Sequence, residues 1–143
     1  MGNFTNNNLI AQSMKKSILV KGSTLGGLAV IFGAFGAHAL KNILTPEQLI
    51  SFETGVKYQM YHGVVLLFIF LMYQKFQHKY LLVTSKLMFV GTVAFSGSIY
   101  LLTLKNWLGI EALKYIAPIT PVGGGLIIVG WLFLLLSAFQ LKK

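Results

Sequence analysis

Few residues in this chain could do chemistry. The groups suited to proton transfer or metal binding are three histidines (His38, His62, His78) and three glutamates (Glu47, Glu53, Glu111), with no Asp and no Cys. Lack of cysteine removes thiolate ligands, a thiol nucleophile and any disulfide framework. Lack of aspartate removes a Ser-His-Asp arrangement, and no two glutamates are spaced to act as an acid/base pair. Two histidines without carboxylate neighbours make a thin ligand set for a metal or a haem. The run Gly123-Gly124-Gly125 follows no strand and lacks the dinucleotide-binding pattern. We therefore expect no catalysis, no metal and no cofactor.

What remains is a set of polar residues embedded in apolar sequence. At 100° per residue Gly55, Tyr58, Gln59 and His62 share one helical face, while Glu53 and Lys57 point away and can pair four residues apart. His38 closes an earlier apolar stretch, Ser96, Ser98 and Tyr100 sit in the outer half of a later one, and Thr120 and Pro121 open the last. With His62 placed six residues into its span, roughly 9 Å deep at 1.5 Å per residue, these side chains gather at one depth. His38, Tyr58, Gln59, His62, Ser96, Ser98 and Thr120 form the candidate polar cluster. Two readings stay open. Such groups can hydrogen-bond across helices and fix their packing, at about 0.6 kcal/mol each. Alternatively, His38, Gln59 and His62 could line an outer-leaflet pocket that binds or transports a quinone head, a lipid headgroup or another small polar molecule.

The elements that must position these residues follow from composition. Of 143 residues 55% are hydrophobic and 10% charged, with a net charge of +9, against roughly 25% charged in soluble domains. So few charges cannot cover a water-facing surface. Four stretches approach the ~20 apolar residues that cross a bilayer as a helix: about 18–39, 56–73, 81–104 and 121–141. None alternates with period two, so strands are set aside. The expected fold is all-α, an integral membrane four-helix bundle with antiparallel up-down topology. Residues 1–17, polar and Asn-rich, are expected to be a disordered segment ahead of the transmembrane domain over 18–141.

Lysine placement sets orientation, because positive charge stays on the cytoplasmic side. One side holds Lys15, Lys16, Lys21, Lys75, Lys79, Lys86, Lys142 and Lys143; the other holds Lys41, Lys57, Lys105, Lys114 and all three glutamates. Both termini are therefore expected in the cytoplasm, in a multi-pass protein of the cell (inner) membrane. The basic balance reflects topology and anionic lipid; scattered lysines do not make a nucleic-acid site. Lys15-Lys16 followed by an apolar stretch and Ala37-His38-Ala39 mimics a signal peptide, but the stretch exceeds the usual 7–15 residues, so we expect it to be retained.

Between helices in lipid, small residues permit close approach. Gly22, Gly26, Ala29, Gly33 and Gly36 recur every three or four residues along the first span, with thinner versions at Gly91 and Ser98 and at Gly123, Gly130 and Ser137. Intramolecular packing is the expected use; a homo-oligomer or a larger membrane complex is the rival. Thr45-Pro46-Glu47-Gln48 is a capping box with proline at the first helical position, so a helix starting there would run through Gly55 into the second span.

The blocks Gly33-Ala34-Phe35-Gly36-Ala37-His38-Ala39-Leu40, Phe52-Glu53-Thr54 with Tyr58-Gln59 and His62, Phe95-Ser96-Gly97-Ser98-Ile99-Tyr100, and Ile119-Thr120-Pro121-Val122-Gly123-Gly124 carry a resemblance. In these four ordered blocks the chain resembles the small membrane proteins of domain-of-unknown-function family 423, bacterial relatives of transmembrane protein 256, over about Ile18 to Leu141. The resemblance implies a four-span helical protein of the bacterial inner membrane and brings no established activity. It also implies that the block around His38 is retained.

Overall fold

The computed structural model describes residues 2–140. Its helices are α1 (Gly2–Ala37), α2 (Pro46–Phe76), α3 (Lys79–Leu108) and α4 (Ile119–Gln140). Short 3-10 turns, Leu40–Asn42 and Glu111–Ile116, lie in the first and last connections. There is no strand among the described residues, and all four helices are long and apolar enough to cross a membrane. Leu141, the expected end of the fourth span, and Lys142 and Lys143 lie outside the described residues, as does Met1.

Local chemistry explains where the helices begin and end. The Thr45 hydroxyl accepts from the Gln48 N–H at 3.3 Å and the Gln48 side chain accepts from the Thr45 N–H at 3.0 Å, closing the capping box. Pro46 follows at the first helical position, where its missing N–H costs nothing. α2 then continues unbroken through Gly55, and Glu53 pairs with Lys57 at 3.7 Å on its exposed side. Gln77, in the left-handed conformation (φ 48°), ends α2, and the adjacent His78 caps α3 by accepting from the Tyr80 N–H at 3.3 Å. This two-residue link turns the chain back on itself. Gly109 ends α3 at φ 68°, where a side chain would be strained.

The start of α1 differs from the expectation. The stretch expected to be disordered is helical back to Gly2. No Pro or Gly interrupts the chain between Asn3 and Lys21, and the extension gains packing at Met14, which lies against the core and whose sulfur the Tyr73 hydroxyl reaches at 3.6 Å.

The helices pack in chain order, α1 on α2, α2 on α3 and α3 on α4, with a much thinner α1–α3 contact. This is a sequential arrangement, and α1 and α4 do not form a packed pair among the described residues. Glycine sets two of the three seams. A methyl group on Gly63 would lie 2.9 Å from the Gly26 nitrogen, and one on Gly22 would lie 3.1 Å from the Gly63 carbonyl, so α1 and α2 touch backbone to backbone. Gly91 and Gly123 do the same for α3 and α4, where a Gly123 methyl would fall 2.5 Å from the Phe95 nitrogen. Of the stripe on α1, Gly22, Gly33 and Gly36 turn toward α2, and Ala29 is buried. Gly26 contributes its backbone, while its own side-chain direction is open. Gly130 lies against Met88 and Leu87 of α3.

Candidate functional site

The α2–α3 seam is polar. Gln59, buried in the middle of α2, donates from Nε2 to the Leu25 carbonyl of α1 at 2.9 Å and accepts at Oε1 from the Tyr100 hydroxyl of α3 at 2.8 Å. One amide thus ties three helices together. Ser96 of α3 donates to the Gly55 carbonyl of α2 at 2.8 Å. Ser98 Oγ donates to the Phe95 carbonyl at 2.9 Å and lies 2.7 Å from the Thr120 hydroxyl. A hydroxyl has one proton, so Thr120 is the donor to Ser98, joining α4 to α3. Aromatic rings close around Tyr100, with the ring centroids of Phe32 and Phe52 at 5.0 and 4.8 Å.

His62 stands on another side of α2. It is buried, its Nδ1 lies 2.7 Å from the Tyr58 carbonyl, and the Trp131 ring of α4 meets it edge-on at 6.4 Å. Because a carbonyl can only accept, Nδ1 carries the proton of this bond. Tyr58 is partly exposed and packs on Phe95 at 4.8 Å.

His38 is not part of this arrangement. It lies exposed in the turn after α1, beside a shallow groove formed by Ile31, Phe35 and Ala39. Gln59 meets α1 at Leu25, thirteen residues before His38, a distance of roughly 20 Å along a helix. The structure thus brings together Gln59, Ser96, Ser98 and Thr120, places His62 and Tyr58 on an adjoining face, and leaves His38 at the far end. The three-residue pocket of His38, Gln59 and His62 is not assembled. The reason is the start of α2: counted from Pro46, Gln59 and His62 lie roughly 20 and 24 Å into the helix, whereas a span beginning at Val56 would leave His62 about 9 Å deep.

Nothing in the residue types marks the backbone acceptors at Leu25 and Gly55, which become partners only because glycine contacts bring the helices within reach. Thr84 and Thr92 were also missed; both are fully buried in α3 with no hydrogen-bond partner. Their only sequence signal is a hydroxyl inside an apolar run. Glu47 lies in the first turn of α2, Glu53 two turns into it and Glu111 in the last connection, and no group of three or more His, Asp or Glu side chains able to hold a metal occurs among the described residues.

Comparison with known proteins places the chain. The model of a "Protein of unknown function (DUF423)" family matches residues 32–124. A UPF0382 membrane protein of Staphylococcus saprophyticus is 40% identical over 88% of this chain and 99% of its own length. A UPF0382 membrane protein of Haemophilus influenzae is 34% identical over 91% of this chain and 99% of its length. The UPF0382 inner membrane protein YgdD of Escherichia coli K12 is 32% identical over 88% and 92%. No solved structure matches. With four membrane-crossing helices and relatives that share nearly its whole length, the chain belongs to the DUF423 family of small multi-pass cell-membrane proteins, whose function is unknown.

Proposed function

We propose that this protein is a non-catalytic accessory component of the cell membrane, a fixed helical unit that acts by packing against further copies of itself or a larger membrane complex. The observation that carries this reading is how the buried polar groups are used. Gln59, Tyr100, Ser96, Ser98 and Thr120 are bonded to one another or to backbone carbonyls of neighbouring helices. Groups committed in this way hold helices in register and do not form a relay that moves a substrate proton. The glutamates that could supply acid or base chemistry lie apart from His62, Glu53 being paired with Lys57 on the exposed side of α2.

The test is the size of the native particle. Protein at its natural abundance, taken from its own membrane in polymer-bounded discs and freed of lipid and polymer in the mass spectrometer, should give protein masses well above the 15.8 kDa of one chain, and His38→Ala should leave that particle intact. A monomer at natural abundance would overturn the accessory role. So would a substrate turned over by purified protein and lost in His62→Ala.

A further inference from the structure

The loosest helix pair is α1–α3, and a crevice lies between them. Its deeper part, about 370 Å³, is lined by Leu25, Gln59, Thr92, Ser96, Gly97 and Tyr100. The outer part, about 460 Å³, is wholly apolar and runs toward Trp107 and Ile43, with Phe32 and Tyr100 forming walls of both. Exposed Leu28 and Val93 flank the deeper part, so it opens toward lipid.

One hydroxyl on the crevice wall is buried without a partner, as only that of Thr84 is elsewhere among the described residues. Hydroxyls on these helices bond back to a carbonyl three or four residues earlier: Ser51, Thr54, Ser85, Ser98, Thr103 and Ser137 all do so at 2.6–3.0 Å. Thr92, fully buried on the crevice wall, does not, and its hydroxyl has no partner. An unbonded hydroxyl in an apolar surround costs on the order of 1–3 kcal/mol; the atom itself is fully buried, so a ligand oxygen recovers that cost once the side chain turns about χ1 toward the crevice, threonine in a helix dividing between two rotamers. Gln59 Nε2 has a second proton beyond the one given to Leu25.

The surroundings define what would fit. Neither part of the crevice is lined by a charged side chain, which excludes a phosphate or carboxylate headgroup. Thr92 is thirteen residues into α3 and sixteen from its end, roughly 20 and 24 Å along the axis, close to the middle of the bilayer. Ester carbonyls of glycerolipids reside at the interface and do not reach that depth. We infer that the α1–α3 crevice binds an uncharged, lipid-soluble quinone, a carbonyl oxygen accepting from Thr92 and the apolar tail lying along the outer cavity toward Trp107. Ligand binding of this kind is independent of the accessory role above, and its test does not depend on particle size.

The probe is a decyl-substituted benzoquinone, titrated into the full chain in lipid nanodiscs and read by native mass spectrometry, with decylbenzene as the oxygen-free analogue. Wild type should bind one quinone saturably. Thr92→Val should weaken it about tenfold, the loss expected for one hydrogen bond, without changing decylbenzene binding. Thr84→Val, the other unbonded hydroxyl and one remote from the crevice, should bind like wild type. Gly97→Leu should abolish binding by filling the crevice, since nothing lies within 4 Å of the position its Cβ would take. Quinone binding that survives Gly97→Leu, or that is equal in Thr92→Val and wild type, overturns the assignment. Thr92→Val keeps the test decisive even if the leucine variant misfolds.

Discussion

The glycine triplet of α4 offers an internally controlled test of backbone contact as the basis of the α3–α4 seam. Gly123, Gly124 and Gly125 are chemically identical and adjacent, yet a methyl group meets three different surroundings. At Gly125 it meets nothing within 4 Å; at Gly124 it meets the Phe95 ring at 3.6 Å, ordinary contact. At Gly123 it would lie 2.5 Å from the Phe95 nitrogen and 2.9 Å from both the Phe95 Cα and the Gly91 carbonyl oxygen. These are backbone atoms and cannot rotate away. Moving from 2.5 Å to the 3.4 Å at which contact becomes ordinary requires the helices to part by roughly 0.9 Å locally. Ala gains about 0.5–1 kcal/mol over Gly inside a helix, and this gain is common to all three sites, so it cancels in the comparison. What remains is the overpacking cost, about 1–3 kcal/mol, toward the upper end because backbone must move. Gly125→Ala and Gly124→Ala should therefore both be slightly more stable than wild type, and Gly123→Ala about 1–3 kcal/mol less stable than Gly125→Ala. Unfolding by dodecyl sulfate in mixed micelles, followed by helical ellipticity, measures the difference. Equal stability of Gly123→Ala and Gly125→Ala would refute the backbone-contact account of this seam.

Three further outcomes follow from the structure. A double-mutant cycle of Gln59→Leu and Tyr100→Phe, run in the same micelles, should give a coupling of about 0.6 kcal/mol and no more than about 1.7; additive effects would mean that the 2.8 Å bond contributes nothing. Thr45→Ala removes the acceptor for the Gln48 N–H and should cost about 1 kcal/mol, shown by faster hydrogen exchange confined to the first turn of α2. Lysine placement predicts that both termini lie in the cytoplasm, and on that orientation a fluorescent-protein fusion at the C-terminus should glow and an alkaline phosphatase inserted at Asn42 should be active; the reverse pattern would invert the orientation.

Much of this fold can be read in the sequence, because lipid imposes strong demands. Long apolar runs must be helical, since no water satisfies the backbone, and Thr45 to Gln48 are a local hydrogen-bond unit whose partners are three residues apart. Depth is harder to read. Hydropathy marks where lipid begins, whereas capping marks where the helix begins, and in α2 these differ by ten residues, from Pro46 to Val56. That offset separates Gln59 from His38. The partners of Gln59 are equally hidden, since the Leu25 carbonyl is one of many identical groups until Gly22 and Gly63 fix the register of α1 on α2.

The seams are also unequal, and the inequality locates the crevice. The α1–α2 and α3–α4 pairs are closed by glycine against backbone, and α2–α3 by the bonds of Gln59 and Ser96. The α1–α3 pair has neither device along its central stretch; toward its other end Lys21 sits over the Phe89 ring at 5.4 Å. A gap there does not strain the other seams, because α2 holds both helices from behind through Leu25 and Tyr100. In a unit built only to pack, such a gap should be filled by large side chains, as the remaining interior is by Leu66, Ile69, Leu81 and Met88. Instead the wall carries Gly97, whose side-chain direction is open, and Thr92, whose hydroxyl is unbonded. Space and an unbonded hydroxyl thus lie side by side midway along α3, where a buried polar group without a partner is costly.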